Sequence, residues 1–314
     1  MAEIRPAPTA ALFTAALAAE LTRAELVGDP GAQIASVFVD SRSVQRQGLF
    51  VALPGERSDG HAYIADALRA GASCVLARSD RREAAGQAWR EAAGEGTAGR
   101  AMLLVPDSLK ALQVLAREHR RRFPSLFRVG ITGSSGKTTT KECAASALGR
   151  GRSLVLNPGN LNSDIGLSLS VFAMSAGHEI AVFEMGMNRR GEMDELAEIY
   201  EPDLALITNI GTAHIGILGS RDEIAKEKKR IFSRFDGRQE GLVWEEDEYR
   251  QFLKEGVRGR ILEYGPKSTT GFRAARDLGL DGYEVDWEGL RFIFPLAGRH
   301  NLINAIAAMA LAER

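Results

Sequence analysis

The chain has 314 residues, enough for two domains, and its 45% hydrophobic and 26% charged content is ordinary for a soluble globular protein. A net charge of -1 gives no electrostatic basis for binding nucleic acid or an anionic membrane, and no apolar run approaches the length of a membrane span. The two cysteines, Cys74 and Cys143, form no C-x-x-C pair, which excludes the usual zinc-cluster pattern and fits reduced thiols in a cytoplasmic protein.

The first predicted element is an amphipathic helix in "APTAALFTAALAAELTR", with Leu12, Ala16, Ala19 and Ala24 at helical spacing. Glu3 and Pro6 spoil the basic region that a signal peptide would need. Residues 34–53 read as two short strands around a polar turn. A helix with Ile64 and Leu68 inward follows, then a strand at Ser73–Ala77. Residues 79–100 read as a surface helix and loop, and "AMLLVPD" as another strand. The helix from Ser108 to about Arg122 is stopped by Pro124. A domain boundary is expected between residues 106 and 126, giving a small mixed α/β domain at 1–107 and a second domain at 108–314.

The second half alternates apolar runs with helices: 127–132, 153–157, 179–185 and 203–210. Runs of this kind suit strands buried on both faces, so a doubly wound, mostly parallel α/β sheet is expected. Residues 236–294 look less regular, with a hairpin through Asp286–Gly289. "LAGRHNLINAIAAMALAER" starts a last helix.

Within this frame "VGITGSSGKTTTKE" carries the chemistry. A strand ends near Thr132, Gly133 and Gly136 allow close backbone approach, and a helix starts near Lys137. Such a loop cradles phosphate oxygens with backbone N–H groups from Thr132, Gly133, Ser134, Ser135 and Gly136. Lys137 would neutralise phosphate charge and the Thr138 hydroxyl would ligate Mg²⁺. The plainer reading is a glycine turn with a surface lysine, and the flanking strand and helix disfavour it. The standard G-x-x-x-x-G-K-[ST] pattern has glycine where this chain has Ile131. Glu184, ending the run "IAVFEM", is placed as the acidic metal partner at a strand's C-terminal edge, against the alternative of a solvated strand-end carboxylate. His214, one of five histidines, sits in a glycine-flanked loop where a functional and a surface role are equally open. The charged helix "RDEIAKEKKRIF" reads from pattern alone as a solvated face. "NPGNLNSDIG" suits a polar ligand loop or an ordinary turn equally well.

The run "TGSSGKTTTKE", with "NLNSDIG", "EMGMNRRGEM", "PDLALITNIGTAHI" and "LAGRHNLINAIAA", resembles the Mur ligases, ATP-dependent enzymes that build the peptide stem of peptidoglycan. Their phosphate loop also lacks the first glycine. "VDSRSVQRQGLFVALPGERSDGHAYIADALRAGA" is similar to the N-terminal domain of the two last-acting members and argues against a folylpolyglutamate-type ligase. The resemblance implies addition of D-alanyl-D-alanine to UDP-MurNAc-tripeptide during cytoplasmic peptidoglycan precursor synthesis. The tripeptide carboxylate would attack the γ-phosphate of ATP, and the incoming amine would attack the acyl phosphate. It implies Lys137, His214 and Lys228 as catalytic residues, and Thr138, Glu184, His214 and Lys228 around Mg²⁺. Lys228 matches a lysine that family members carry carbamylated, with Lys226 and Lys229 close by in sequence. Asn304 matches a position that contacts adenine. Asn160, Asn162 and Asp164 match a loop near substrate and nucleotide, and Asp40, Ser41 and Arg42 a segment near the UDP-sugar. A monomer is expected, without nucleic-acid or membrane partners. Alternatives are the preceding ligase, which adds the third stem residue, and a nucleotide-binding module without catalysis.

Two features depart from the family. Members usually carry a third, Rossmann-like domain after the final helix here, so the sequence reads as a fragment, and activity of this polypeptide by itself is not assumed. In "LVWEEDEY", Trp244 breaks an Asn-x-Asp-Asp-like stretch, so no site is carried over there.

Overall fold

The computed structural model describes residues 11–43, 45–55, 58–93 and 98–314. The chain divides into two compact units. One runs to Arg122 and takes in Val171–Ala173; the other holds Phe123–Ser170 and Met174–Arg314.

The first unit contains β1 (Phe13–Thr14), α1 (Ala15–Thr22), β2 (Glu25–Gly28), β3 (Gln33–Ile34), β4 (Ser36–Phe38) and β5 (Gly48–Val51). There follow α2 (Ile64–Ala70), β6 (Cys74–Arg78), α3 (Arg82–Ala93), β7 (Ala101–Val105) and α4 (Ser108–Arg121). The Thr14 hydroxyl caps α1 by accepting the Leu17 N–H at 3.2 Å, and Arg23 ends it with φ 55°, so Leu12 and Ala24 fall outside the expected helix. A five-stranded sheet runs β2-β7-β6-β5-β4, with β2 alone antiparallel. Phe50, Val75, Met102, Ile64 and Leu68 fill its core. Asp107 caps α4 through the Leu109 and Lys110 N–H groups. That helix packs on α1 and β6, so the break between units falls after it, rather than at 107/108.

The second unit opens with β8 (Phe127–Thr132), α5 (Lys137–Leu148), β9 (Leu154–Leu156), α6 (Asp164–Val171), β10 (Ile180–Glu184), α7 (Glu192–Tyr200) and β11 (Leu204–Ile207). It continues with α8 (Ile215–Leu218), α9 (Arg221–Lys229), β12 (Glu240–Trp244), α10 (Arg250–Lys254) and β13 (Arg260–Tyr264). β14 (Phe272–Asp277), β15 (Tyr283–Trp287), β16 (Leu290–Phe294) and α11 (Arg299–Ala312) complete it. Six parallel strands lie in the order β13-β12-β11-β8-β10-β9. β10 and β11 are buried throughout, as is β8 from Val129 on, which explains their apolar runs. Tyr200 stacks on Phe183 at 4.8 Å and donates its hydroxyl to the Ala181 carbonyl. Arg128 grips Asp203 with a two-pronged ion pair, fixing the start of β8 beside that of β11. On one face α11 packs on α5, with Ile303, Ile306 and Ala307 against Val129, Ile131 and Leu206.

The region 236–294 is more regular than its sequence suggests. β12 and β13 extend the parallel sheet, and β14–β16 form an antiparallel sheet of three. β12 has only three consecutive apolar residues, Leu242–Trp244, after Glu240 and Gly241, and β13 is an edge strand of mixed burial, so neither shows a long apolar run. The expected hairpin is present, turning at Glu288 and Gly289, both with positive φ.

The chain enters this sheet at β8, crosses to the edge strand β9, returns to β10 and then builds outward from β11. β8 is therefore where the winding reverses, and the crevice beyond its C-terminal end is where such sheets bind ligands.

Candidate functional site

The loop 133–136 leaves the end of β8 in that crevice, and α5 starts directly after it. Two glycines make the path possible. A Cβ on Gly133 (φ +153°) would stand 1.7 Å from the Thr208 Oγ1, and one on Gly136 (φ +79°) would stand 2.4 Å from the Asn304 Oδ1. The segment after β11 holds the loop's first half. The Ser134 N–H donates to the Asn209 carbonyl at 3.0 Å, and the Gly211 N–H to the Ser134 Oγ at 2.8 Å. The Thr208 hydroxyl donates to the Ser135 carbonyl at 2.6 Å. Asn209 also holds Ser135, whose N–H donates to the Asn209 Oδ1 at 3.2 Å. The first intrahelical bond of α5 runs from the Thr140 N–H to the Gly136 carbonyl, so the N–H groups of Lys137, Thr138 and Thr139 have no acceptor within the helix. Free donors at a helix N-terminus, beside a lysine, suit a phosphate chain.

Two ammonium groups converge here. Lys137 and Lys228 each donate to the Gly133 carbonyl at 3.0 Å. Lys228, on α9, is 1% exposed. Burial, and then the like charge of Lys137, hold its pKa down to about 7, with Glu227 opposing. Burial also lowers that of Lys137, against the pull of Glu184. The neighbouring lysines on α9 are engaged elsewhere: Lys226 pairs with Glu223 and Lys229 donates to the Phe252 carbonyl.

Glu184 ends β10, 3% exposed, in register with Ile131 of β8. Both carboxylate oxygens accept hydrogen bonds: Oε2 from the Thr138 hydroxyl and Oε1 from the Asn162 Nδ2, each at 2.7 Å. His214 precedes α8 with φ 66°. Burial pushes its pKa down, Lys228 and Lys137 push it further, and Glu192 opposes them, so these charged groups share one field with it.

Among the described residues no three His, Cys, Asp or Glu side chains form a metal-holding group. Thr138 and Glu184 together still suit Mg²⁺, which commonly takes one or two protein oxygens and completes its shell with phosphate and water.

Asn304 lies against Gly136 and lines a cavity of ≈ 440 Å³ together with Thr139, Asn209, Trp244, Arg299 and His300. Of the polar loop, Asn162 reaches Glu184, Asp164 pairs with Arg189, and Asn160 stays exposed. Asp40, Ser41 and Arg42 belong to the first unit, where the Arg42 guanidinium grips Asp40 and holds its carboxyl down to about 2. The second unit thus brings together Lys137, Thr138, Glu184, Asn162, Lys228, His214 and Asn304. Sequence reading left Thr208 and Asn209 without a role, although "ITNIG" shows polar residues at a strand end, and it gave none to Trp244.

A model of the Mur ligase middle domain matches residues 131–312, and a model of the Mur ligase family catalytic domain matches residues 33–120. The UDP-N-acetylmuramoyl-tripeptide–D-alanyl-D-alanine ligase of Treponema pallidum is 45% identical over 88% of this chain. The chain spans 60% of that relative's length. A MurF crystal structure from Acinetobacter baumannii superposes with a TM-score of 0.84 at 30% identity, covering 98% of this chain and 66% of that one. The MurF ligase of Thermotoga maritima in complex with ADP gives 0.71 at 29% identity, covering 88% and 62%.

Proposed function

Because this chain belongs to the Mur ligase family, we propose that it serves an ATP-dependent ligase that joins D-alanyl-D-alanine to UDP-MurNAc-tripeptide in peptidoglycan precursor synthesis. The supporting observation is the meeting of Lys137, Lys228 and the Thr138–Glu184 pair around one glycine loop with free helix N–H groups. ATP is read as lying with its phosphates on the N–H groups of residues 136–139 and its base in the cavity beside Asn304.

In this reading Lys137 offsets the charge that gathers on the transferring phosphoryl group, and the loop fixes its line of approach to the substrate carboxylate. Mg²⁺ held by Thr138 and Glu184, with His214 as the resemblance implies, would supply further charge neutralisation. Lys228 is suited to carbamylation. With a pKa near 7, about half of it is the free amine near neutral pH. The amine nitrogen adds to the carbon of CO2, an N–C bond forms, and a proton leaves to solvent. The product is an anion beside Lys137 in place of a second cation. Asn160, Asn162 and Asp164 are assigned to the substrate-facing loop, and Asp40, Ser41 and Arg42, within the first unit, to the UDP-sugar. A monomeric, cytoplasmic protein fits this role, and among the described residues no helix is long and apolar enough to cross a membrane.

The test is ADP release by the whole ligase. It should require both UDP-MurNAc-tripeptide and D-alanyl-D-alanine, and Lys137→Ala should abolish it. ADP release with UDP-MurNAc-dipeptide and a free amino acid would assign the preceding ligation step instead. Full ligation by Lys137→Ala would refute the catalytic reading.

A further inference from the structure

The side chain of Asn157 is fully buried, just past the last residue of β9. Pairing between β9 and β10 stops at Leu156 opposite Val182. Beyond that point the Asn157 amide takes the place of strand backbone. Its Oδ1 accepts the Glu184 N–H at 2.9 Å, and its Nδ2 donates to the Glu184 carbonyl at 2.9 Å. The same Nδ2 donates to the Leu161 carbonyl at 2.8 Å, one residue before the Asn162 that holds Glu184 Oε1. The Asn157 carbonyl in turn accepts the ammonium of Lys141 at 2.9 Å. Lys141 is 1% exposed and stands on α5, one turn beyond Lys137.

A buried amide and a buried ammonium are costly to place, and each hydrogen bond here ends on the carboxylate's own backbone or on a segment that touches it. We propose that Lys141 and Asn157 are positioning residues. Together they fix the Glu184 carboxylate relative to the phosphate-loop helix, so that a divalent cation meets Glu184 and Thr138 at a set spacing. This rests on the nucleotide and metal reading above. A carboxylate on a strand end could swing with its backbone, but here the backbone N–H and C=O are both taken by one side chain. α5 therefore cannot shift relative to β10 without breaking the Lys141–Asn157 contact. Partners of this kind, one step behind a metal-binding group, typically change metal affinity by 10- to 100-fold.

The experiment titrates Mn²⁺ into this chain with saturating ADP, read by electron paramagnetic resonance, alongside ADP binding in EDTA. Asn157→Ala should weaken Mn²⁺ by about 10- to 100-fold and leave metal-free ADP binding within about twofold of wild type. Lys141→Met should act in the same direction with a smaller effect, and Lys141→Arg should recover most of it. Circular dichroism melting keeps each comparison well below the transition, and Lys141→Met carries the test if Asn157→Ala does not fold. Wild-type Mn²⁺ affinity in a folded Asn157→Ala or Lys141→Met, despite a lower melting temperature, overturns the positioning role and leaves the parent reading intact. Unchanged Mn²⁺ affinity in Glu184→Gln overturns it as well, because there would be no metal carboxylate to position. A wild-type chain that binds neither ADP nor Mn²⁺ sinks the nucleotide reading and the positioning role with it.

Discussion

Replacing Lys228 with methionine should stabilise the second unit at low pH. The Lys228 pKa lies near 7 against an ordinary 10.5, so the folded state disfavours the ammonium that the unfolded chain carries freely. At ~1.4 kcal/mol per pKa unit, that gap is a penalty of about 5 kcal/mol. Between pH 7 and 10.5 the unfolded chain binds more protons than the folded one, so stability rises with pH across that window. The penalty is complete below pH 7 and gone above 10.5. Methionine keeps the volume and removes the charge, at the loss of the bond to the Gly133 carbonyl, worth about 1 kcal/mol. Lys137 also gains, since a like charge beside it disappears. The net expectation at pH 6 is about 3–4 kcal/mol of added stability, a rise in melting temperature on the order of 10 °C. The measurement is calorimetric melting of wild type and Lys228→Met from pH 6 to 10 in CO2-free buffer. The two melting curves should converge as pH rises. A difference that stays constant across that range would refute the argument that a destabilised ammonium is buried there.

Gly136→Ala should lower both stability and nucleotide affinity, by at least about 2 kcal/mol in the unfolding free energy, because the added methyl meets the Asn304 amide at a left-handed backbone position; urea melts and ADP titration measure the two effects. Adding ADP should change the tryptophan fluorescence of the wild type, and the change should vanish in Trp244→Phe, since Trp244 lines the cavity beside Asn304; an equal change in the variant would place the base elsewhere. With ¹³C-bicarbonate, a carbamate carbon signal should appear in the wild type and be missing in Lys228→Met, and a signal that persists in the variant would move the carbamylation to another amine.

The central motifs were legible because they are local. A strand, two glycines, a lysine and a helix start lie within a few residues, and the backbone geometry follows from their order. The parallel strands β8, β10 and β11 were legible because burial on both faces leaves no polar alternation. What escaped the sequence is non-local. β12 and β13 take their strand identity from pairing with β11, and their own residues are too mixed to announce it. The role of "RDEIAKEKKRIF" reversed for the same reason. Its pattern is that of a solvated helix, yet one lysine of the run is folded onto Gly133, 95 residues earlier. Asn209 gripping Ser135 and Asn157 gripping Glu184 likewise depend on which loops meet at the sheet's edge. Nothing about an isolated asparagine distinguishes a clasp from a turn.

The absent glycine of the standard phosphate-loop pattern has a structural cause. Ile131 sits inside β8, paired with Glu184 of β10 on one side and Leu206 of β11 on the other, and is fully buried among Val129, Ala144 and Val182. Within the loop the tight approaches that demand glycine begin two residues later, at Gly133, where Thr208 crowds the backbone. The strand therefore carries on through the position where other phosphate loops have already turned. Restoring the usual residue with Ile131→Gly should then bring no gain in nucleotide binding. It should remove a core side chain and add backbone freedom to a central strand, costing about 3–5 kcal/mol of stability. Urea unfolding measures the cost and ADP titration the affinity. Tighter nucleotide binding in Ile131→Gly would mean that the loop begins earlier than the pairing of β8 implies, and that Ile131 restrains it.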